Sequence, residues 1–549
     1  MAAVAHDYDP EESPGPELRL MARARRRHRA AGVDVFEGFY QAYLTAFGCG
    51  VAVLLASDAV GDAKLTAHQL ATIRSDGPGW IGLGIAVVWA VAIRSGSRGG
   101  PLVLPAADVR HVLLAPVPRQ QALRAPAYRQ VRFSAFVGLI VGAGLVTVAS
   151  HRLGGGGVPA WIPFGAAAGA VTGITAAGLG LLCSGHRIKP WLGLTLAVVV
   201  VGWSALDVVL GRVTSPMGLL GQFMLEPLTF RPGSLGAIPV VALVATMGVV
   251  GIGGMSLEQA ERRATLASQI RFALTLQDLR TVVLLRRQLT QEQSRPRPWV
   301  HLSALARGHR VVWRRDVRGL TRWPAVRVIR LVVLGVAAGA ALVGTFAGTT
   351  PLIVVAALAL FLAGLEALEP LAQDIDHPDL PASTPTVPGE LRLAHAPVPF
   401  VVMLLVALIG WATALVMAAT GLFSVHLALT VGAAEVIPAA LLGLVGAVTS
   451  VVMEPPSAGG DFLPAEIAGV KLVLRAVWAP ALVLVGLTPI LVARSAWHQH
   501  RAPGPAALSA AVLPITVGIL GLGWLRFREE IHEYLSMNAA TAQKPAPES

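Results

Sequence analysis

The chain has 549 residues, 54% of them hydrophobic and only 14% charged, with a mean hydropathy of +0.63. A water-soluble chain of this size needs charge over its surface, so the composition excludes an ordinary soluble enzyme and points to a protein surrounded by lipid. The formal charge of +12 would suit nucleic acid, but sixteen arginines against five acidic residues between Met255 and Arg330 supply nearly all of it; positive charge beside membrane spans is the ordinary case, and no nucleic acid is expected.

A hydrocarbon core of about 30 Å, at about 1.5 Å per residue, takes about 20 apolar residues in a helix. The first eighteen residues, acidic at Asp7, Asp9, Glu11 and Glu12, read as a disordered tail without the basic-then-apolar order of a cleaved signal, so the first span is expected to stay as an anchor. A basic segment from Glu17 to Val35, with Leu18, Leu20 and Met21, reads as a short helix along the membrane surface. Spans are then expected at 39–57, 79–95, 132–150, 161–184, 191–211 and 235–254, within a first half covering 19–254. In the loop from Arg94 to Arg132, Leu102, Leu104, Val109, Val112, Leu113 and Leu123 need something to pack against, and a partner protein or the membrane surface would serve. Gly165, Gly169, Gly173, Gly178 and Gly180 are expected to let helices approach closely rather than to bind phosphate.

Residues 255–327 form a basic linker. Its apolar positions Leu257, Leu266, Ile270, Leu274, Val282, Leu285 and Leu289 recur at roughly helical spacing, which predicts one or two helices ended by Arg295-Pro296-Arg297-Pro298. A second basic lead-in, Trp313 to Pro324, precedes the second half, 328–525, with spans expected at 328–346, 350–368, 398–419, 425–451, 470–492 and 506–525. Residues 526–549 are a tail whose last dozen residues read as disordered. The fold class is therefore all-α: a polytopic integral membrane protein with about 12 transmembrane helices in two six-helix halves. Arginines concentrate in the N-terminal tail, the second loop and the linker, which predicts a multi-pass plasma-membrane protein with both termini cytoplasmic.

Few side chains suggest chemistry. Glu435 lies well inside the tenth span, where an ionised group costs about 2.5–3.5 kcal/mol, so it must be neutral, paired or facing a cavity. A role in substrate or proton handling, a structural hydrogen bond near the Pro438 kink and a misplaced span end are all open. Asp207, nearer the end of the fifth span, reads as an interfacial, solvated group, and Glu366 and Glu369 as helix-end charges. Cys49 and Cys183 sit in separate spans, and His498-Gln499-His500 lacks carboxylates, so neither a disulfide nor a metal site is expected. No catalytic residues and no cofactor are assigned. The four lysines, Lys64, Lys189, Lys471 and Lys544, fall outside any phosphate-binding Gly-x-x-x-x-Gly-Lys frame, so the chain has no ATP-binding motif of its own.

Two basic lead-ins, two six-span sets, a long loop after the second span of each set, and the run Leu113-Leu114-Ala115-Pro116-Val117-Pro118-Arg119 make the chain resemble the permease subunits of type-2 ABC exporters in their fused, two-half form. The resemblance implies surface helices at Leu18 to Val35 and Trp313 to Val328. It also implies ATPase-docking loops at Leu102 to Leu123 and Pro370 to Pro399, with Leu113, Leu114, Pro116 and Arg119 as docking residues, and a short re-entrant pair of helices at Ser215 to Phe230. The second half departs from the pattern, holding only Ala493 to Gly504 at the last of these places and lacking the Pro-Val-x-Arg form in its loop. The implied partners are two copies of an ATP-binding cassette ATPase subunit, the lipid bilayer and a hydrophobic or amphipathic substrate. A proton-coupled secondary transporter using Glu435, and a membrane enzyme or scaffold, remain the alternatives.

Overall fold

The computed structural model describes residues 67–265 except 103, 105–108, 110, 112, 114–117, 154–156, 230–235, 259 and 262, and residues 297–301, 310–376, 387–419, 424–452 and 477–542. The chain forms two compact units, Met1–Phe272 and Ala273–Ser549. Both are helical, with no strand among the described residues.

In the first unit the helices are α1 (Ala67–Ser97), α2 (Arg119–Leu153), α3 (Val158–Gly185), α4 (Pro190–Leu210), α5 (Pro216–Met224), α6 (Glu226–Thr229) and α7 (Ala237–Gly251). Prolines occupy the first turn of α3, α4 and α5, where a missing N–H costs nothing because no intrahelical acceptor awaits it. The core of this unit is built on glycine. Gly138 and Gly142 of α2 meet Gly165 and Gly169 of α3 backbone to backbone, and Gly173 faces the Ser134 carbonyl. Gly178 meets Ala245 and Gly248 of α7, and Gly180 lies against Gly96 of α1. All five glycines singled out in α3 thus mark close helix approaches, and Gly165, Gly169 and Gly173 do so at the spacing of four that small residues show inside membranes.

In the second unit the helices are α8 (Arg310–Thr321), α9 (Ala325–Phe346), α10 (Leu352–Ala367), α11 (Glu369–Asp376), α12 (Pro388–Ala394), α13 (Pro397–Ala419) and α14 (Val425–Val452), followed by α15 (Val477–Gly486), α16 (Thr488–His498) and α17 (Pro503–Ala542). Helix α14 is central: 83% of its most apolar stretch is buried, against 17–39% in the other spanning helices. Those others turn apolar side chains outward, such as Val198, Val209, Leu513 and Leu520. Large exposed aliphatics along most spanning helices are what a lipid solvent permits and water does not.

Among the described residues eight helices are long and apolar enough to cross a membrane, or up to ten if each bent pair is one span. The expected span 39–57 lies outside the described residues. The spans at 350–368 and 470–492 fall on the two bent pairs, α10 with α11 (61°) and α15 with α16 (47°), and that at 235–254 falls on a shorter apolar helix.

Several boundaries differ from expectation. The loop expected from Arg94 to Arg132 is shorter, because Arg119 already begins α2, which runs 35 residues with nothing between Arg119 and the span to break it except a tolerated Pro126. Leu102, Leu104, Val109, Leu113 and Leu123 need no partner or membrane surface, since they pack with Leu181, Ile252, Met255 and Ala260 into a cluster of their own unit. The tail after residue 525 is helix as far as Ala542, not disordered through its last dozen residues. Ala493 to His498 continues α16 instead of forming a loop. Most of the helix predicted across 257–289 lies outside the described residues, as do the N-terminal tail and the surface helix at Leu18 to Val35.

Candidate functional site

Two places in the second unit gather chemistry. The first sits at its basic end. Helix α8 turns Val312, Asp316 and Leu320, four residues apart, to its inner side, while Arg314 and Arg318 fall on the opposite side. Trp299 closes its far end, its backbone N–H donating to the Thr321 carbonyl (2.8 Å) and its Nε1 to the Trp323 carbonyl (2.9 Å). Asp316 is the one acid in this helix and is buried.

The partner of Asp316 is His395, in the turn between α12 and α13. The 32 residues Pro388–Ala419 would make about 48 Å of helix, longer than a hydrocarbon core, and the apolar run begins only at Pro397, so His395 lies outside the spanning segment. Its Nδ1 is 2.7 Å from Asp316 Oδ2 and its Nε2 2.8 Å from Asp374 Oδ2 of α11. Arg315 Nη2 donates to the other oxygen of Asp374 at 2.8 Å. A ring that serves two carboxylates through both nitrogens carries two protons and one positive charge. Burial pulls the pKa of His395 down, and the hydrogen bonds and charges of Asp316 and then Asp374 outweigh it, leaving it above the ordinary histidine value. One buried imidazolium therefore fastens α8, α11 and the entry to α13 together.

A second ionic cluster lies close by in sequence. Arg327 of α9, buried and stacked on Trp323 at 4.1 Å, reaches Glu366 Oε2 (3.2 Å) and Glu369 Oε2 (2.5 Å), and Arg330 reaches Glu366 Oε1 at 2.5 Å. Glu366 and Glu369 are helix-end charges, as expected, with α9 supplying the cations.

The second place is an apolar cleft of about 80 Å³, partly open to the outside, among α9, α13, α14 and α16, with Leu360 of α10 at its floor. Its wall includes Phe346, Val406, Trp411, Val431, Glu435 and Ile490. Glu435 is 4% exposed, and neither carboxyl oxygen has a hydrogen-bond partner. The Ile490 N–H, in the first turn of α16, faces the carboxyl without completing a hydrogen bond. Glu435 lies well inside α14, so the span end is not misplaced there, while substrate or proton handling and a structural hydrogen bond near Pro438 both stay as readings of this carboxyl.

Known protein families, curated proteins and solved structures give no match to this chain.

In the first unit the expected site residues scatter. Leu113 is buried in the cluster described above, Arg119 starts α2, and Leu114 and Pro116 lie outside the described residues. Asp207 is not a solvated interfacial group. It is 3% exposed, and its two oxygens accept from Thr214 N (3.0 Å), Thr214 Oγ1 (2.5 Å) and Ser215 N (2.8 Å). Ser215 Oγ in turn accepts the Gly218 N–H at 3.0 Å, capping α5. Asp207 thus holds the entry of the short helix that lies against Gly82 of α1. Asp207→Ala is expected to cost about 2 kcal/mol and Ser215→Ala about 1 kcal/mol, read as falls in melting temperature of the detergent-solubilised chain; equal stability of Asp207→Ala and wild type would remove this role.

Among the described residues no group of three His, Cys, Asp or Glu is placed to hold a metal ion. The sequence reading did not single out Asp316, Asp374 and His395. The one available signal was a single acid on the inner face of an otherwise basic helix.

Proposed function

We propose that this chain is the permease of an ATP-driven exporter of hydrophobic or amphipathic compounds, with about twelve spans in two six-span halves, both termini cytoplasmic, in the plasma membrane. Two copies of a separate ATP-binding cassette subunit supply the energy. The observation that carries this reading is the imidazolium junction at the basic end of the second unit. The resemblance assigns the lead-in helix to the membrane surface and the segment after α10 to ATPase docking, and these are the elements that His395 ties to the start of α13. A pull on α11 by a closing ATPase is then delivered to a spanning helix through buried, charge-assisted hydrogen bonds rather than through a slack loop. In the first half Leu113 serves by anchoring the loop to its own unit, and Arg119, with Leu114 and Pro116, stays a candidate contact.

Affinity purification of the tagged full chain from its native membrane in mild detergent tests this. An ATPase subunit should be recovered near two copies per chain; a folded, monodisperse preparation without any ATPase overturns it. Proton-coupled transport is the second reading, favoured by the unpartnered Glu435 in its cleft. In that case proteoliposomes holding the chain alone would move substrate on a pH gradient, and Glu435→Gln would stop them.

A further inference from the structure

The cleft of the second unit combines three features. It is apolar, and Glu435 is the only ionisable side chain among the described residues of its wall. That carboxyl is buried with both oxygens unpartnered. The described arginines on the adjoining helices are already engaged, Arg327 and Arg330 with Glu366 and Glu369, and Arg494 with Thr350 Oγ1 (2.6 Å) and the Gly348 carbonyl (3.5 Å). A buried carboxyl with no counter-charge, faced only by the Ile490 N–H outside good hydrogen-bond geometry, is a group the fold does not satisfy by itself. What it lacks is a cation with N–H donors, carried on an apolar body that fits the rest of the cleft.

The walls agree with that ligand. Trp411 and Phe346 line the space, and aromatic rings attract cations. The indole N–H of Trp411 is already given to the Ala428 carbonyl at 3.0 Å, so the ring contributes its apolar surface rather than a donor.

We propose that the cleft among α9, α13, α14 and α16 binds a lipophilic amine, with the ammonium on Glu435 and the apolar body between Trp411 and Phe346. As the substrate site of an exporter it rests on the reading above; as a binding site it does not.

The test uses the purified full chain in detergent and two probes of one skeleton, 4-phenylbutylamine and 4-phenylbutan-1-ol, measured by equilibrium dialysis with radiolabelled probe against protein-free detergent. The amine should bind saturably, near one per chain, and at least tenfold more tightly than the alcohol. Glu435→Gln, which keeps the shape, should abolish that preference. Ala414→Phe, at a half-buried wall position, should fill the cleft and remove both probes. Equal binding of the two probes to wild type, a preference surviving in Glu435→Gln, or no saturable binding each overturns the site. Amine binding without a co-purifying ATPase would keep the site and remove the exporter; an ATPase without amine preference would do the reverse.

Discussion

Replacing His395 by leucine is expected to lower the stability of the second unit by about 3–5 kcal/mol, among the largest effects of any single substitution in this chain. The change leaves the buried Asp316 carboxylate without its 2.7 Å partner, and Asp374 with Arg315 alone. Removing both of the carboxylates it served, in the triple variant Asp316→Leu, His395→Leu, Asp374→Leu, should recover much of the loss, since the cost lies in uncompensated charge rather than in missing bonds. Stability should also depend on pH. Because the folded pKa of His395 is raised, the contribution is fully present below the unfolded histidine value of about 6.5 and is lost as pH rises through the higher folded value. The gap in melting temperature between wild type and His395→Leu, taken across that interval, should narrow toward alkaline pH, where the neutral ring keeps only one N–H donor; a constant gap would remove the imidazolium from the account.

Gly169→Val is expected to break the first unit. A Cβ at Gly169 would overlap the Gly138 carbonyl, and a Cβ at Gly138 would overlap the Gly169 carbonyl, so both obstacles are backbone and neither can swing aside. Helices α2 and α3 must separate, which forfeits contact along their shared row and costs about 3 kcal/mol or more. Gly84→Val and Gly202→Val supply the control, because an added Cβ there meets nothing within 4 Å; each should stay within about 0.5 kcal/mol of wild type. Size-exclusion profile and melting temperature in detergent read the outcome. A well-folded Gly169→Val chain would show that the approach of α2 and α3 is looser than these contacts.

The spanning helices were legible in the sequence because hydropathy is a property of single residues summed over a window, and the glycine contacts because their spacing of four is local. Glu435 was legible for the same reason, being an ionisable residue in an apolar run. Its cleft was not, since the walls come from helices whose neighbours only the fold decides. Asp207 was misread because its partners, Thr214 and Ser215, stand beyond a turn whose path no periodicity gives. The bond from Asp316 to His395 spans 79 residues, and nothing near either residue announces the other. The loop from Leu102 to Leu113 was read correctly as apolar enough to need burial, but the surface that buries it, near Leu181 and Ile252, is remote in the chain.

The length of α17 has a mechanical consequence. Its forty residues form a rod of about 60 Å, roughly twice the hydrocarbon core, so one part stands among spanning helices and the rest projects beyond them. Helix α12 is clipped to the projecting part: Gly389 rests on the Arg526 backbone, Glu390 pairs with Arg526 (2.8 Å) and Arg392 with Glu529 (2.5 Å). A change of slope of about ten degrees carries the end of such a rod by roughly 10 Å. Because α12 leads through His395 into α13, the rod, α12 and α13 are joined in one chain of buried and paired contacts, and a force applied to the projecting end would reach a spanning helix.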